Sequence, residues 1–378
     1  MKKIAVLGFG CIGSGVCKLL TENKDLIEKR SGVSAELAYI CDLRDIPGLP
    51  YGEMHIKDFD TVLADPDVAV VAELTGARRA AFELSKKALQ AGKSVVTSNK
   101  EVVSAFGPEL LQIARENNVS YLFEAAVGGA IPLIRPLRLN LGTDRITGIC
   151  GILNGTTNYI LTRMSSDGVP YGEALAEAKR LGYAEPDPSA DVSGLDTCRK
   201  ISVLSAFIDG GLIPPEQIPT KGIENVDPRV LRLAEKLGGA IKLIGRAERT
   251  ENGVSACAVP CFVSRENMLY PVGGVNNGIL VRCESSGDLM FFGAGAGSIP
   301  TSAAVISDVC EALCGPVGVL DWRFADNRPR EYKKVFAVSE KPFEPQIGVA
   351  HDEFGGLYGC ITSADGAGSG AVFTAEVI

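Results

Sequence analysis

A glycine triplet, Gly8-Phe9-Gly10-Cys11-Ile12-Gly13, stands between a short apolar run, Ile4 to Leu7, and a helical pattern from Ile12 to Leu20. This spacing restricts the fold more than any other feature of the chain. A strand that ends on such a triplet and reopens as a helix turns tightly at its first glycine and leaves bare backbone at its second. At the third, helix and strand can pack closely. The first helix amides then face outward, ready for an anion such as a pyrophosphate.

Further apolar runs follow at Leu37 to Cys41, Val68 to Glu73, Ser94 to Thr97 and Tyr121 to Ala125. Helical patterns separate them at Arg78 to Ala91 and at Pro108 to Glu116, the latter read as opening on its proline. Val68-Ala69-Val70-Val71-Ala72 is continuous rather than alternating, as expected for a strand covered on both faces. The prediction is α/β: a Rossmann-type, doubly wound parallel sheet up to residue 132. Beyond it the apolar runs Ile146 to Leu153, Ile241 to Arg246, Ser255 to Phe262, Ile279 to Cys283 and Leu289 to Phe292 are short and separated by turns, while helices cluster between residues 156 and 210. A second, α+β domain over residues 133–300 is expected, with an antiparallel sheet and helices on one side. Residues 301–322 read as a helix returning to the first domain. Residues 323–378 form a tail of open role, rich in glycine (Gly355, Gly356, Gly359, Gly366, Gly368, Gly370) and without a helical period.

In open parallel sheets ligands sit outside the carboxyl ends of the strands. Asp42 follows the second strand and is placed to accept ribose hydroxyls, which favours NAD; Arg44 could instead pair with a 2′-phosphate, and these residues leave NAD and NADP both open. Thr75 and Gly76 follow the third long strand, and Ser98-Asn99-Lys100 the next. A lysine opening a helix is ordinarily a solvated charge. Glu124, followed by a turning backbone to Pro132, either holds a hard monovalent cation with neighbouring carbonyls or bonds the backbone.

The run Gly151-Ile152-Leu153-Asn154-Gly155-Thr156-Thr157-Asn158-Tyr159 carries more hydrogen-bonding groups than a turn needs. They shape a pocket or cap the following helix, with Tyr159 read as core. Asp187-Pro188-Ser189 reads as a helix start with Asp187 as cap. Asp196 and Lys200, four apart, share a helical face. As a surface pair they would contribute a few tenths of a kcal/mol, roughly. Against that reading, apolar Leu195, Val203, Leu204, Phe207 and Ile208 leave little exposed helix, and Gly194 is read as a helix-interior glycine that a close ligand would explain. Reducing a carbonyl with a nicotinamide requires a proton for the developing alkoxide. With only His55 and His351 in the chain, Lys200 is the natural general acid, Asp196 holds the substrate or orients the lysine, and Glu185 could bind an ammonium.

Together these motifs, with Gly182-Tyr183-Ala184-Glu185-Pro186-Asp187-Pro188, resemble homoserine dehydrogenase from about residue 4 to about residue 320. The resemblance implies NAD(P)H-dependent interconversion of L-aspartate 4-semialdehyde and L-homoserine on the threonine and methionine branch, by a cytoplasmic homodimer joined through the second domain's sheet. It implies Lys200 as proton donor, Glu185 and Asp196 on the substrate's polar groups, and Asn154 and Thr156 beside them. Val95-Val96-Thr97-Ser98-Asn99-Lys100 is similar to a family motif that commonly has alanine where Ser98 stands, which places Lys100 against nicotinamide and substrate. Gly8, Gly10, Cys11, Ile12, Gly13, Asp42, Arg44, Thr75, Gly76, Gly182, Gly297 and Ser302 go with the cofactor. Sodium is implied at the Glu124 side chain and the carbonyls of Val127, Gly129 and Ile131. Some members carry a regulatory ACT domain; the tail is too short for a complete copy, so little inhibition by threonine is expected.

A net charge of −8 with scattered Lys and Arg offers no footprint for nucleic acid. No apolar stretch reaches the roughly 18 to 20 residues that span a bilayer. The eleven cysteines suit reduced thiols, and the Cys257/Cys261 and Cys310/Cys314 pairs lack a matching second half for zinc. A phosphorylating aldehyde dehydrogenase would need a cysteine beside a base, yet Cys150 lies in a strand pattern with neither histidine placed to serve it. A non-catalytic dinucleotide sensor would have no reason to keep Lys100, Glu185, Asp196 and Lys200 together.

Overall fold

The computed structural model describes residues 1–378 except 47, 49, 50, 319, 331–333, 344–349 and 364–370, together with the side chains of 350–353. Gly366, Gly368, Gly370 and the His351 side chain therefore lie outside the described residues. The chain opens with β1 (Lys2–Leu7), α1 (Cys11–Glu22), α2 (Lys24–Ser31), β2 (Ala35–Cys41), β3 (His55–Ile56), α3 (Phe59–Ala64), β4 (Val68–Glu73), α4 (Arg78–Gln90), β5 (Ser94–Thr97), α5 (Lys100–Glu116) and β6 (Tyr121–Leu122). It continues with β7 (Ile146–Ile152), α6 (Gly155–Asp167), α7 (Tyr171–Arg180), α8 (Ser189–Val192), α9 (Leu195–Asp209), β8 (Gly211–Leu212), α10 (Pro228–Lys236), β9 (Gly239–Thr250), β10 (Gly253–Ser264), β11 (Asn276–Cys283) and β12 (Gly287–Ala294). The last elements are α11 (Ser298–Leu313), β13 (Arg323–Phe324), β14 (Lys334–Ser339), β15 (Ala350–Phe354), β16 (Leu357–Ser363) and β17 (Phe373–Val377).

Two compact units result. The first comprises Met1–Thr143, Gly210–Leu212 and Ala296–Phe324. Its six-stranded sheet runs β3-β2-β1-β4-β5-β6, parallel throughout. The order reverses between β1 and β4, the point at which such sheets bind ligands. Burial of Val70, Val71 and Ala72 explains the continuous apolar run of β4. Helix α11 packs on α1, β4 and β5.

Two expectations for this unit are corrected. Helix α5 begins at Lys100 rather than Pro108, because Asn99 accepts from the amides of Glu101 and Val102 and caps it there. Pro108 lies inside the helix, whose apolar stripe continues from Val102 and Val103 to Leu110 and Leu111. The last strand stops at Leu122, and Glu124 to Ala126 turn away as a short 3-10 segment.

The second unit comprises Asp144–Asp209, Ile213–Gly295 and Ala325–Ile378. Its nine strands run β12-β11-β7-β9-β10-β17-β14-β16-β15. Every neighbouring pair is antiparallel except β10 and β17, where Cys261 opposes Glu376. The tail thus supplies four strands of one continuous sheet. Their order, fourth-first-third-second, is that of a split β-α-β unit. Helix α10 packs against β9, β15 and β16. Phe336 and Phe373 of the tail share a core with Phe262, Leu243 and Leu233, and the Phe262 and Phe336 rings lie 5.3 Å apart. Glu376 meets Arg246 of β9 at 2.5 Å, both buried.

Helices α8 and α9 meet at Gly194, whose φ of +85° corrects its reading as a helix-interior residue. A Cβ there would lie 3.2 Å from the Lys221 carbonyl, so the chain's own backbone, not a ligand, crowds this glycine. Asp187 accepts from the Ser189 amide at 3.1 Å, two residues on, while Pro188 takes the cap position of α8.

Candidate active site

The glycine triplet sits where β1 gives way to α1. Gly8 has φ +89°, and a Cβ there would press within 2.8 Å of the Leu74 carbonyl; at Gly13 it would lie 2.0 Å from the Gly8 carbonyl. Around Gly10 nothing lies within 4 Å of a would-be Cβ. The loop is therefore closed on its protein side and open on the side a pyrophosphate would take, with the α1 amides beside it. Ser298 donates to the Cys11 carbonyl (2.8 Å) and Ser302 to that of Ile12 (3.1 Å). Ser302 is buried, and its hydroxyl is shared between the Ser298 carbonyl of its own helix (2.8 Å) and that of Ile12 in α1, whereas Gly297, φ +124°, is exposed at the α11 start.

Asp42 accepts from the Phe9 amide at 2.8 Å and from Arg44 at 2.7 Å and 2.9 Å. The Arg44 guanidinium holds the Asp42 carboxyl well below the usual carboxylate range. At the ends of β4 and β5, Thr75 bonds Glu73, Gly76 turns with φ +75°, and Lys100 is the first residue of α5.

Glu124 is buried and accepts three backbone amides, from Leu133 (2.5 Å), Ile134 (2.9 Å) and Arg135 (2.6 Å). This is the backbone-bonding alternative, a carboxylate satisfying the first amides of a helical turn. It leaves about one of the carboxylate's four acceptor positions open. Val127 and Ile131 are buried, and Gly129 turns with φ +58°. Asp308 of α11 accepts the Glu124 amide at 2.8 Å and Arg135 at 3.0 Å.

In the second unit Lys200 and Asp196 are both buried and 2.7 Å apart. Lys200 also donates to the Leu153 carbonyl at the end of β7 (2.7 Å). Asn154 caps α6 with its oxygen, which accepts from Thr157, and gives its amide to Asp196 (2.9 Å) and Asp191 (2.8 Å). Thr156 donates to the Tyr183 carbonyl at 2.6 Å, which pins the Gly182 turn, φ +76°, beside the start of α6. Asn158 holds the carbonyls of Val272 and Asn276, and the Tyr159 ring rests 4.9 Å from that of Tyr183. Asn154, Asp196 and Lys200 thus form one connected cluster with Leu153, and Thr156 braces its edge. Glu185 is exposed, and no hydrogen bond joins it to that cluster among the described residues.

Sequence reasoning missed Asp191, Glu73 and Asp308. Asp191 carried a readable signal, a carboxylate five residues before Asp196. The other two depend on partners remote in sequence. Among the described residues no three His, Cys, Asp or Glu side chains form a metal cluster, and no helix is long and apolar enough to cross a membrane.

An open glycine loop at the switch point of a parallel sheet is the architecture of a dinucleotide-binding oxidoreductase, and the second unit holds a buried lysine paired with a carboxylate. A family model described as homoserine dehydrogenase matches residues 132–310, and one for the NAD binding domain of homoserine dehydrogenase matches residues 8–124. A homoserine dehydrogenase of Synechocystis sp. is 40% identical over 314 residues, 81% of this chain and 72% of that protein. The crystal structure of a homoserine dehydrogenase from Thiobacillus denitrificans matches with a TM-score of 0.88 at 29% identity, over 100% of this chain and 98% of that one. A hyperthermophilic archaeal homoserine dehydrogenase in complex with NADPH matches with a TM-score of 0.71 at 28% identity, over 85% of this chain and 100% of that one. The chain belongs to the homoserine dehydrogenase family. It is an NAD(P)-dependent oxidoreductase of amino-acid biosynthesis that interconverts L-aspartate 4-semialdehyde and L-homoserine.

Proposed function

We propose that Lys200 is the proton donor of this reaction, and that Asp196 and Asn154 hold it in place. The observation that carries the assignment is the buried ammonium with two of its three donors committed, to Asp196 and to Leu153, which leaves one for a substrate oxygen. The nicotinamide supplies the hydride. As the semialdehyde carbon takes that hydride, its oxygen becomes an alkoxide, and the third Lys200 proton passes to it. Asp196 keeps the ammonium charge balanced in a buried setting. Asn154 ties Asp196 to the start of α6 and to Asp191. Glu185, exposed and unengaged, suits the substrate's ammonium group.

The cofactor-side roles are proposed for Gly8, Gly10, Cys11, Ile12 and Gly13 around the pyrophosphate, for Asp42 and Arg44 at the adenosine ribose, and for Thr75, Gly76 and Lys100 at the nicotinamide end, with Gly182 and Gly297 near it. Ser302 contributes by fixing α11 to α1. Arg44 folded on Asp42 supports use of both NADPH and NADH: the guanidinium meets a 2′-phosphate, and without one it stays on the carboxylate. Sodium is proposed at the open acceptor position of Glu124 and the carbonyls of Val127, Gly129 and Ile131, and the protein is proposed to act as a homodimer. Oxidation of NADPH and of NADH with the semialdehyde, assayed without phosphate, tests the reading. Turnover with neither cofactor would remove it. Sodium is tested by thermal midpoint: a saturable rise with added sodium but not with equal ionic strength of a bulky organic cation is expected.

A further inference from the structure

Glu73, the last residue of β4, is buried completely. One of its oxygens accepts from the amide and the hydroxyl of Thr75, at 2.8 Å and 2.7 Å. The other accepts from the hydroxyl of Thr97 at 2.8 Å, across the β4–β5 ladder. The same Thr97 hydroxyl accepts from the Asn99 amide at 2.9 Å, and the Asn99 side chain accepts from Glu101 and Val102 at 3.1 Å and 3.3 Å, which starts α5 on Lys100. One carboxylate therefore governs two loops, Leu74 to Gly76 and Ser98 to Lys100.

The sheet itself does not need this group. β4 and β5 are already joined by backbone pairing from Val70 to Glu73, and burying a carboxylate is costly unless each lone pair is used. What the ladder cannot set is the direction in which each loop leaves it. Glu73 sets both at once, because its two oxygens are rigidly linked.

We propose that Glu73 is a positioning residue for the dehydrogenase reaction, locking Thr75 and Lys100 into one platform for the nicotinamide end of the cofactor through Thr97. The proposal rests on the cofactor-side roles given above for Thr75 and Lys100. Reacting groups misplaced by about an ångström commonly cost up to 10²-fold in rate.

Four variants test it. Glu73→Gln puts a carboxamide NH2, itself a donor, where one set of donors points and disturbs one loop or both. Thr97→Val cuts only the arm to α5, and Thr97→Ser restores the hydroxyl. Lys100→Ala is measured alongside. The expected result is a roughly ten- to hundredfold fall in kcat for Glu73→Gln and Thr97→Val, with a raised cofactor KM in the first, an unchanged one in the second, and recovered kcat in Thr97→Ser. If Glu73→Gln fails to fold, Thr97→Val against Thr97→Ser decides. A crippled Lys100→Ala beside Thr97→Val of normal kcat, whatever its thermal midpoint, overturns the role of Glu73 and leaves the cofactor-side reading standing. A Lys100→Ala enzyme with wild-type kcat and cofactor KM removes that reading and the inference with it.

Discussion

Lys200 combines two properties that rarely coincide: its ammonium is buried, and among the described residues two of its three donors are engaged, by Asp196 and the Leu153 carbonyl. The Lys200→Ala enzyme should bind cofactor normally in a fluorescence titration and lose about 10² to 10⁴ in turnover, the usual contribution of a positioned general acid. A severe loss confined to Lys100→Ala would move the proton to Lys100. At the adenosine end, Arg44→Ala should raise the KM for NADPH roughly ten- to hundredfold, the worth of charge-assisted bonds of about 1.5–3 kcal/mol, and leave that for NADH almost unchanged. Equal effects on the two cofactors would show that Arg44 does not read the 2′-phosphate. Asp308 gives a pH prediction. Burial pushes its carboxyl up to about 8, against about 4 in an unfolded chain. The folded state then binds the proton more tightly than the unfolded one, so the group favours folding below about pH 4, and that contribution is lost as pH rises toward 8. Thermal midpoints of the wild type should fall over this window more steeply than those of Asp308→Asn.

The elements show what periodicity and spacing can and cannot reveal. Strands β4 and β5 were legible to the residue, because short, valine-rich runs bounded by polar turns have the length and composition of strands covered on both faces. Helix α5 was misplaced, since a proline signals a first turn only when no better cap precedes it, and Asn99 is one. The break at Gly194 was invisible in sequence, where a glycine inside a helical pattern and a glycine between two helices look alike. The tail was the least legible part: its strands are short, and their hydrophobic partners, Phe262 in β10 and Leu233 in α10, lie far away in the chain. Because Phe336 and Phe373 complete that core, removing residues 331–378 should abolish cooperative folding rather than yield a deregulated enzyme. The point variant Phe336→Ala should cost about 3–5 kcal/mol, as truncated buried aromatics do. A well-folded truncated chain, judged by a sharp calorimetric transition, would show the tail to be an appendage. Threonine should inhibit the intact chain little, because the tail strands continue the sheet of the second unit and pack against α10.

At the scale of the whole molecule the remaining question is association. The runs Ser255 to Phe262 and Ile279 to Cys283 carry little charge; they lie in β10 and β11, interior strands of the sheet that are largely buried within one chain. Their low charge is explained by that burial. Among the described residues the sheet ends at β15, beside β16, and at β12, which pairs there with β11 alone and carries Phe292 at 59% exposure. An unpaired edge bearing an exposed aromatic is a site that proteins ordinarily protect with charge, a bulge or a partner. Asp288 is the one charged residue of β12, and Leu289 to Phe292 are uncharged, so we expect a second copy to cover this edge, set against it by a two-fold axis. Sedimentation at micromolar concentration should therefore report a dimer. Burying one phenylalanine on each side contributes about 1.5–3 kcal/mol, so Phe292→Glu should weaken the dimer by at least tenfold to a hundredfold and shift the boundary toward monomer. A wild-type monomer would remove the homodimer. A dimer untouched by Phe292→Glu would keep it and move the interface away from the β12 edge.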